Sequence, residues 1–383
     1  MTDIAIVGAA QTPYQRCRDD ANFAEMIYEV TCGALADAGL GISDIDNFIT
    51  VSNDFWDGRT ISSMAVQDAC GSSFEGGRNV STVEGDGTFG LLYGMMRILS
   101  GAYQTTLVVV HCKGSEGNMR QITNGMFDYI YTRPLGIEAI GAAALQARRY
   151  MDSYNITEED FAHVSVKNRG NALRNPHAQL AAEMTVEEVM ASKPIASPLK
   201  LHDLSPISDG AAAVILAHRN VADKLGRKPV WVKGIAHCSE AHFLGDRDLA
   251  EAPALRDASR RAYQMAGIKK PFAEIDVVEL YDAFSYMEPL WLEELGFCPR
   301  GKGGELARLG ATAFDGPVPV NPSGGVLSAH AVLVAGLARV IEAALQVRGE
   351  AGERQVEGPV EFALAHGING PCGQSHCVVI LGE

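Results

Sequence analysis

Three side chains suited to proton chemistry stand beside strand ends or glycine-rich turns in the second half of the chain: Tyr281, His330 and His366. Tyr281 ends the apolar run from Asp276 to Leu280, His330 follows the turn Ser323-Gly324-Gly325, and His366 follows the run from Val360 to Ala365. A phenol donates to an oxyanion, and it accepts a hydroxyl proton when a cation lowers its pKa; an imidazole moves protons near neutrality. Taken singly, each has a plainer reading. A tyrosine at a strand end is ordinarily packing, and a lone histidine is ordinarily a satisfied, partly buried ring. His366, Cys372, His376 and Cys377 also invite a metal reading. That reading is weak, because His376 and Cys377 are adjacent in a strand and point to opposite faces, and the cluster has no C-x-x-C or H-x-x-x-H spacing. No metal is expected. Asp86, Asp209 and Asp282 lie beside turns and read as caps or loop ties.

Groups this far apart in sequence need a scaffold to bring them together. Asp3 to Ala10 is a short apolar run ending in small residues, a buried strand. A helix follows from Asn22 to Gly39, with Phe23, Met26, Ile27, Val30, Leu35 and Ala38 near helical spacing and Gly39 as the stop. Asn47–Val51 is the next strand. Val80 to Gly90 is glycine-rich and leads into a helix from Leu91 to Leu99, then a strand from Thr106 to Val110. After Gly210–Ala217, another buried strand, the order repeats: strand Val230–Gly234, helix Ala254–Ala266, strand Asp276–Leu280, glycine turn, helix Val332–Val347, and strands Val360–Ala365 and Cys377–Leu381. Alternation of this kind predicts two packed α/β units related as a weak internal repeat. Between them the rhythm is lost, and Arg148, Arg149, Lys167, Arg169 and Arg174 give a locally basic segment. The expected organisation is an N-terminal half from 1–112 plus 207–225, an inserted loop domain over 113–206, and a C-terminal half over 226–383.

Composition bounds the partners. With 47% hydrophobic residues in 383, the chain reads as an ordinary globular protein. It has no basic leader and no apolar run approaching the ~18 residues of a membrane span, so a cytoplasmic location is expected. A net charge of −15 argues against nucleic acid and anionic membrane surfaces. An anionic cofactor would need a local basic pocket. The eight cysteines are scattered singly, which favours reduced thiols over a disulfide framework.

Several spaced blocks carry more. Glu279-Leu-Tyr-Asp-Ala-Phe284, followed by Leu295-Gly-Phe-Cys298 and Gly301-Lys-Gly-Gly304, is similar to a block best known as N-E-A-F or H-D-A-F. Asn321-Pro-Ser-Gly-Gly325 with His330 resembles N-x-S-G-G…G-H-P, and Ala365-His-Gly-Ile-Asn-Gly370 resembles H-N-x-G-G. Ser205-Pro-Ile-Ser-Asp-Gly-Ala-Ala212 is similar to an S-D-G-A-A strand. Together, in this order and over nearly the whole chain, they resemble the thiolase superfamily in its sterol-carrier-protein and archaeal branch. The resemblance implies an α/β thiolase fold, with two similar βαβ-type halves packed as α-β-α-β-α layers around an inserted loop domain.

One block departs. Val83-Glu-Gly-Asp-Gly-Thr-Phe-Gly90 stands where the family has V-E-x-A-C-A-S-G, which puts Gly87 in the place of the nucleophilic cysteine. Glycine has no side chain to attack a thioester, and Thr88 would need a neighbouring base. Cys70, in Asp68-Ala-Cys-Gly-Ser-Ser73, copies the motif superficially but lies too far ahead of the helix and of Ser100-Gly101. It reads as a packing cysteine.

The resemblance implies coenzyme A, as substrate or product, and an acyl-CoA whose thioester enolate must be stabilised; one lost oxyanion donor typically costs ~10²–10³ in rate. It assigns His330 to the enolate oxygen and His366 to the α-proton, and it leaves Tyr281, where relatives have Asn or His, to the oxygen on the neighbouring carbon. Gly336 matches the last glycine of the family's G-A-T-G turn, and with Gly87 and Gly325 it forms the expected cofactor-binding set. Lys113, Arg120, Arg133, Lys167 and Arg169 are candidates for the cofactor's phosphates. Two function classes follow. One is an enzyme working without an acyl-enzyme, by retro-aldol cleavage of a β-hydroxyacyl-CoA or by direct attack of the CoA thiolate on a β-ketone. The other is a non-catalytic acyl-CoA-binding or scaffold subunit of a heteromeric complex. A homodimer is expected, together with a small partner bearing an OB-fold and a zinc ribbon, as found with steroid side-chain aldolases and the thiolase acting on benzoylsuccinyl-CoA.

Overall fold

Nine strands form one sheet: β1 (Ile4–Gln11), β2 (Asn47–Val51), β3 (Asn79–Val83), β4 (Thr105–Lys113), β5 (Asp209–His218), β6 (Val230–Ser239), β7 (Val277–Glu279), β8 (Phe362–Asn369) and β9 (Ser375–Gly382). This is a computed structural model describing residues 3–58, 60–74 and 78–383. Most of these strands are buried on both faces, which is why they read as continuous apolar runs rather than alternating ones.

The spatial order is β3-β2-β4-β5-β1-β6-β9-β8-β7. In the first half β1 pairs β5 antiparallel, β5 pairs β4 antiparallel, and β4 pairs β2 parallel. The second half repeats the pattern through β6, β9, β8 and β7. The halves do not carry separate sheets. They are joined where β1 meets β6 through the pairs Ala5↔Trp231 and Ile6↔Val230.

Helices complete the repeat. α1 (Phe23–Ala38) opens on a capping box between Asn22 and Glu25 and ends on Gly39 in the left-handed region. α2 (Gly87–Leu99) is capped by Asp86, so it begins four residues earlier than its apolar spacing predicts. The segment between β4 and β5 carries α3 (Ala139–Tyr154) and α4 (Glu158–Asn171). In the second half follow α5 (Pro253–Ala266), α6 (Met287–Glu294) and α7 (Ala335–Arg348). α1 covers β1 and β5, and α5 covers β6 and β9, while α2 and α7 pack on each other and on both halves of the sheet. The layers are therefore α-β-α-β-α, the two halves of the one continuous sheet supplying the two β layers, with α2 and α7 in the middle. The core around them draws residues from both halves, including Leu91, Met95, Val110, Val214, Leu337, Ile341, Ala365 and Val379. No helix among the described residues is long and apolar enough to cross a membrane.

α7 is buried nearly all round yet carries Arg339, 3% exposed, and Glu342, 1% exposed. Each has a partner. Arg339 pairs with the fully buried Glu279 at the end of β7, and Ser323 donates to the same carboxylate at 2.7 Å. Glu342 pairs with Arg354 at 2.8 Å. Removing one member of such a pair strands the other in a low dielectric and costs ~3–5 kcal/mol, far more than the net worth of the pair. We expect Arg339→Met to lower the free energy of unfolding by ~3 kcal/mol or more, and the double variant with Glu279→Gln to recover part of that loss. Urea denaturation of the four species measures it; strictly additive losses would count against the pair.

Candidate active site

The site is built where β7 ends. Glu279 turns inward to Arg339, the Leu280 amide donates to Asn321 Oδ1 at 2.6 Å, and Asp282 accepts from the Val326 amide at 2.6 Å and from Asn168 at 2.7 Å. Asn321 holds a left-handed backbone, φ +52°, and returns its own amide to the Val278 carbonyl at 2.7 Å. With its neighbours tied on both sides, Tyr281 is left pointing into a cavity of about 450 Å³.

His330 reaches the same cavity from the turn before α7. Its amide donates to Ser208 Oγ at 2.9 Å, and its carbonyl accepts from the Ser208 amide at 3.1 Å. Its ring lies between two hydroxyls: Nδ1 is 2.8 Å from Ser205 Oγ, and Nε2 is 2.8 Å from Tyr281 Oη. Tyr281 Oη also lies 3.1 Å from the Val332 carbonyl oxygen. A phenol has one proton, so two arrangements are open to it. If Tyr281 donates to Val332, Nε2–H donates to the phenol oxygen and Nδ1 accepts from Ser205. If Tyr281 donates to Nε2, Nδ1–H donates to Ser205 instead. Burial holds both groups neutral: it pushes His330 down to about 4, and it pushes Tyr281 well above its ordinary value, with the Asp86 carboxylate adding to that shift.

The chain matches the thiolase N-terminal domain over residues 4–220 and the thiolase C-terminal domain-like description over residues 234–383. It belongs to the thiolase family. Among its relatives is the acetyl-CoA acetyltransferase of Methanothermobacter thermautotrophicus, 37% identical over 384 residues that span 97% of this chain and 98% of that one. The rabbit (Oryctolagus cuniculus) sterol carrier protein 2 is 30% identical over 95% of this chain and 69% of its own length. Among solved structures, the Ltp2-ChsH2(DUF35) aldolase superposes with a TM-score of 0.85 at 27% identity, covering 99% of this chain and 97% of that one. These relatives place this thiolase in the sterol-carrier-protein and archaeal branch.

Gly87, which the sequence resemblance aligns with the family's nucleophile, is closely packed in this thiolase. Gly87 donates its amide to the Leu333 carbonyl at 2.8 Å, and a Cβ built on it would stand 2.5 Å from Leu337 Cβ. One thiol lines the cavity among the described residues, Cys372, and burial keeps it protonated with its pKa pushed up to about 12. Cys70 is fully buried against the outer core under α1 and does not line the cavity.

Not every expected site residue reaches the cavity. His366 is fully buried on β8 and stacks on His376 of β9, with ring planes 13° apart and Nε2 2.9 Å from His376 Nδ1. Trp291 closes edge-on over both rings. Burial lowers His366 to about 3 and His376 well below its ordinary value, so the two are a neutral core pair. Each of the three glycines expected to bind cofactor is closely packed. Gly336 donates its amide to Asp86 Oδ2 at 2.7 Å, and a Cβ there would lie 2.0 Å from Asp86 Oδ1. Gly325, at φ +64°, leaves room for the Asp282 carboxylate, and Gly87 for Leu337.

The basic candidates divide in the same way. Lys167 is spent on Glu288 at 3.0 Å, Arg169 on the Leu204 carbonyl, Lys113 on the Arg18 and Ala21 carbonyls, and Arg133 on the Gly125 and Phe127 carbonyls. Arg120, exposed, stands at the cavity. Sequence reasoning missed Ser205 as the second partner of His330; its one signal was membership of the Ser205–Ala212 block. It also read Asp86 as a cap alone. Asp86 does cap α2, through the Thr88 amide at 2.9 Å, but it lines the cavity too, and burial pushes it up to about 6 against the pull of its donors.

The neutral imidazole gives a pH signature. His330 titrates near 4 when folded and near its ordinary 6.5 when unfolded, so the unfolded chain takes up that proton first as pH falls. Its contribution to stability is complete above 6.5 and is lost as pH drops toward 4, at up to ~1.4 kcal/mol per pH unit. Relative to His330→Gln, the parent protein should therefore lose unfolding free energy between pH 6.5 and 4. Denaturant titrations of both proteins at pH 7 and 5 test it, and an unchanging difference would refute the assignment.

Proposed function

We propose that this thiolase-family enzyme breaks or makes the carbon–carbon bond beside an acyl-CoA thioester by retro-aldol chemistry, without an acyl-enzyme. One observation carries the reading: a phenol and an imidazole 2.8 Å apart face the cavity, while the nucleophile's position has no room for a side chain. In cleavage, the β-hydroxyl proton of the substrate passes to Tyr281 Oη as the phenol's own proton passes to His330 Nε2. The Cα–Cβ bond breaks, the β-oxygen becomes a carbonyl, and the electron pair remains on Cα as the thioester enolate. The imidazolium is then a donor for the enolate oxygen, and its proton returns to Cα, leaving a shortened acyl-CoA and a free aldehyde or ketone. Every proton is returned. The 27%-identical aldolase supports this reading. His366 stands outside the cavity, so we assign it no proton step; its stack with His376 instead ties β8 to β9 behind the turn that carries Asn369 and Cys372.

A second reading is thiolysis, in which a CoA thiolate attacks a β-ketone polarised by the same two groups. It is supported by 37% identity to an acetyl-CoA acetyltransferase over 97% of the chain. We also propose a two-fold homodimer joined by a small OB-fold/zinc-ribbon partner. The edge strand β3, which pairs only with β2 among the described residues, offers an open edge, and the aldolase relative carries a two-component name.

Tyr281→Phe separates the chemistries. On a β-hydroxyacyl-CoA it should abolish cleavage to below ~10⁻³ of the parent rate, whereas thiolysis of a β-ketoacyl-CoA should fall by only about tenfold. His330→Ala should lower either rate by ~10²-fold or more with little change in substrate binding. Mass spectrometry of protein quenched during turnover should show no acyl adduct on any cysteine, and a stoichiometric adduct on Cys372 would overturn the mechanism. Rates unmoved in both variants would favour a non-catalytic subunit. Sedimentation as a stable monomer at micromolar concentration would remove the dimer.

A further inference from the structure

We infer that Ser205 is a further catalytic residue: its hydroxyl donates to the thioester enolate oxygen, and it is released to do so when His330 takes up a proton. This rests on the acyl-CoA reading and adds a second donor to it. The hydroxyl is held in place from both sides. The Ser205 amide donates to the Ala283 carbonyl at 3.0 Å, and the Asp203 carbonyl accepts the Ser285 amide at 2.9 Å. Three residues further on, Ser208 gives its amide to the His330 carbonyl and accepts the His330 amide at Oγ. The segment is thereby tied to both stretches of chain that carry Tyr281 and His330. Ser205 is half-buried and lines the cavity beside them, and among the described residues its Oγ bonds one polar atom, His330 Nδ1, at 2.8 Å.

A serine hydroxyl has one proton to give and lone pairs with which to accept. Of the two resting arrangements at His330, only the one with Nδ1–H on Ser205 leaves Nε2 able to take a proton. Once it has done so, the imidazolium carries a hydrogen on each nitrogen and no lone pair. Nδ1–H must then donate to Ser205 Oγ, and the hydroxyl proton has to find another acceptor. At that same moment the carbon–carbon bond has broken and negative charge sits on the thioester oxygen. The Nε2 proton is bound for Cα, so it does not stay with the oxygen through the step. The Ser205 proton does. A hydroxyl that accepts from a cation is also a better donor, because the first bond polarises the second. Such a donor acts when charge develops and not in the resting complex, so it lowers the barrier without tightening substrate binding. No bond of Ser205 breaks: the O–H turns to the enolate oxygen and is freed when Nε2–H protonates Cα.

The test is exchange of the α-hydrogens of acetyl-CoA in deuterated water, followed by mass spectrometry with the full-length protein in its native assembly. Exchange forms the enolate without any β-oxygen, and in it His330 Nε2 takes the proton from Cα and is not available to the oxygen. Ser205→Ala should slow exchange by ~10²-fold or more, whereas Ser205→Thr, which keeps the hydroxyl, should stay within about tenfold of the parent. Acetyl-dithio-CoA separates a donor from a side chain that only holds His330, because its thiocarbonyl sulfur accepts hydrogen bonds weakly. Ser205→Ala should slow exchange of the dithioester by less than about tenfold. Equal losses on the two esters, or no loss on acetyl-CoA, would overturn the inference while leaving the acyl-CoA reading in place. A parent protein that exchanges neither ester would remove that reading and this one with it. Should Ser205→Ala not fold, Ser205→Cys, close in size and a poor donor, is put through the same comparison and decides it.

Discussion

Everything in the site depends on how closely the two central helices approach each other at their N-termini. α2 begins at Gly87 and α7 at Ala335, and both first turns leave amides without intrahelical partners, each with the partial positive charge of a helix start. One carboxylate serves both. Asp86 accepts from the Thr88 amide and hydroxyl of its own helix, at 2.9 and 2.6 Å, and from the Gly336 amide of the other at 2.7 Å. The Gly87 amide is taken up by the Leu333 carbonyl. A joint this tight admits no Cβ at Gly336, and at Gly367 a Cβ would lie 2.1 Å from Thr88 Oγ1. It also leaves no free space for one at Gly87, 2.5 Å from Leu337 Cβ, the position that the sequence resemblance aligns with the family's cysteine. The chemistry has to come from elsewhere on the cavity wall.

What remains is positioned by buried charge. Beneath Tyr281 lie Glu279 with Arg339, and Asp282 and Glu288 bridged by Asn168, with Lys167 on Glu288. Asp282, held near the Val326 amide, is pushed up to about 8 by burial and by the neighbouring Glu288. Such a network is costly to bury and stabilises little in net terms. Its use here is directional: with Glu279 and Asp282 each fixed to a different element and the Leu280 amide held by Asn321, Tyr281 is left to face the cavity. Trp291 adds a third restraint by donating to the Tyr281 carbonyl at 3.0 Å.

The fold was largely readable because its signals are local and periodic. The capping box of α1, the doubly buried strands and the repeated order of elements all follow from short-range pattern, and the family blocks fixed their correspondence. What escaped were facts of three-dimensional proximity. The start of α2 was displaced because Gly87, Thr88 and Gly90 carry no apolar period, although Asp86 caps them. His366 looked available because a histidine after a strand is as consistent with a site as with a core; only its register against Val378, two residues along β9 from His376, shows which. Lys167 and Arg169 read as candidates for the cofactor's phosphates because nothing local reveals that Lys167 meets the buried Glu288 and Arg169 the Leu204 carbonyl. Tyr281 and His330 come together through a contact spanning 49 residues, which motif order suggested and spacing alone could not measure.

The neutrality of that pair bears on which reaction the site can run. A nucleophilic cysteine works as a thiolate and depends on an ion pair, which a dry pocket penalises unless a cation is built in. Here the apolar surroundings depress His330 and raise Tyr281, so that neither is charged at rest, and among the described residues no lysine or arginine contributes to the phenol's shift. Proton movement along hydroxyl, phenol and imidazole avoids forming a bare phenolate, because the phenol gains one proton as it gives up another. Charge then develops only on the imidazole and the enolate, opposite in sign and close together, where a low dielectric strengthens their attraction. The burial that makes His330 a poor base in isolation makes the imidazolium–enolate pair its most favourable charged state, as the proposed retro-aldol route requires.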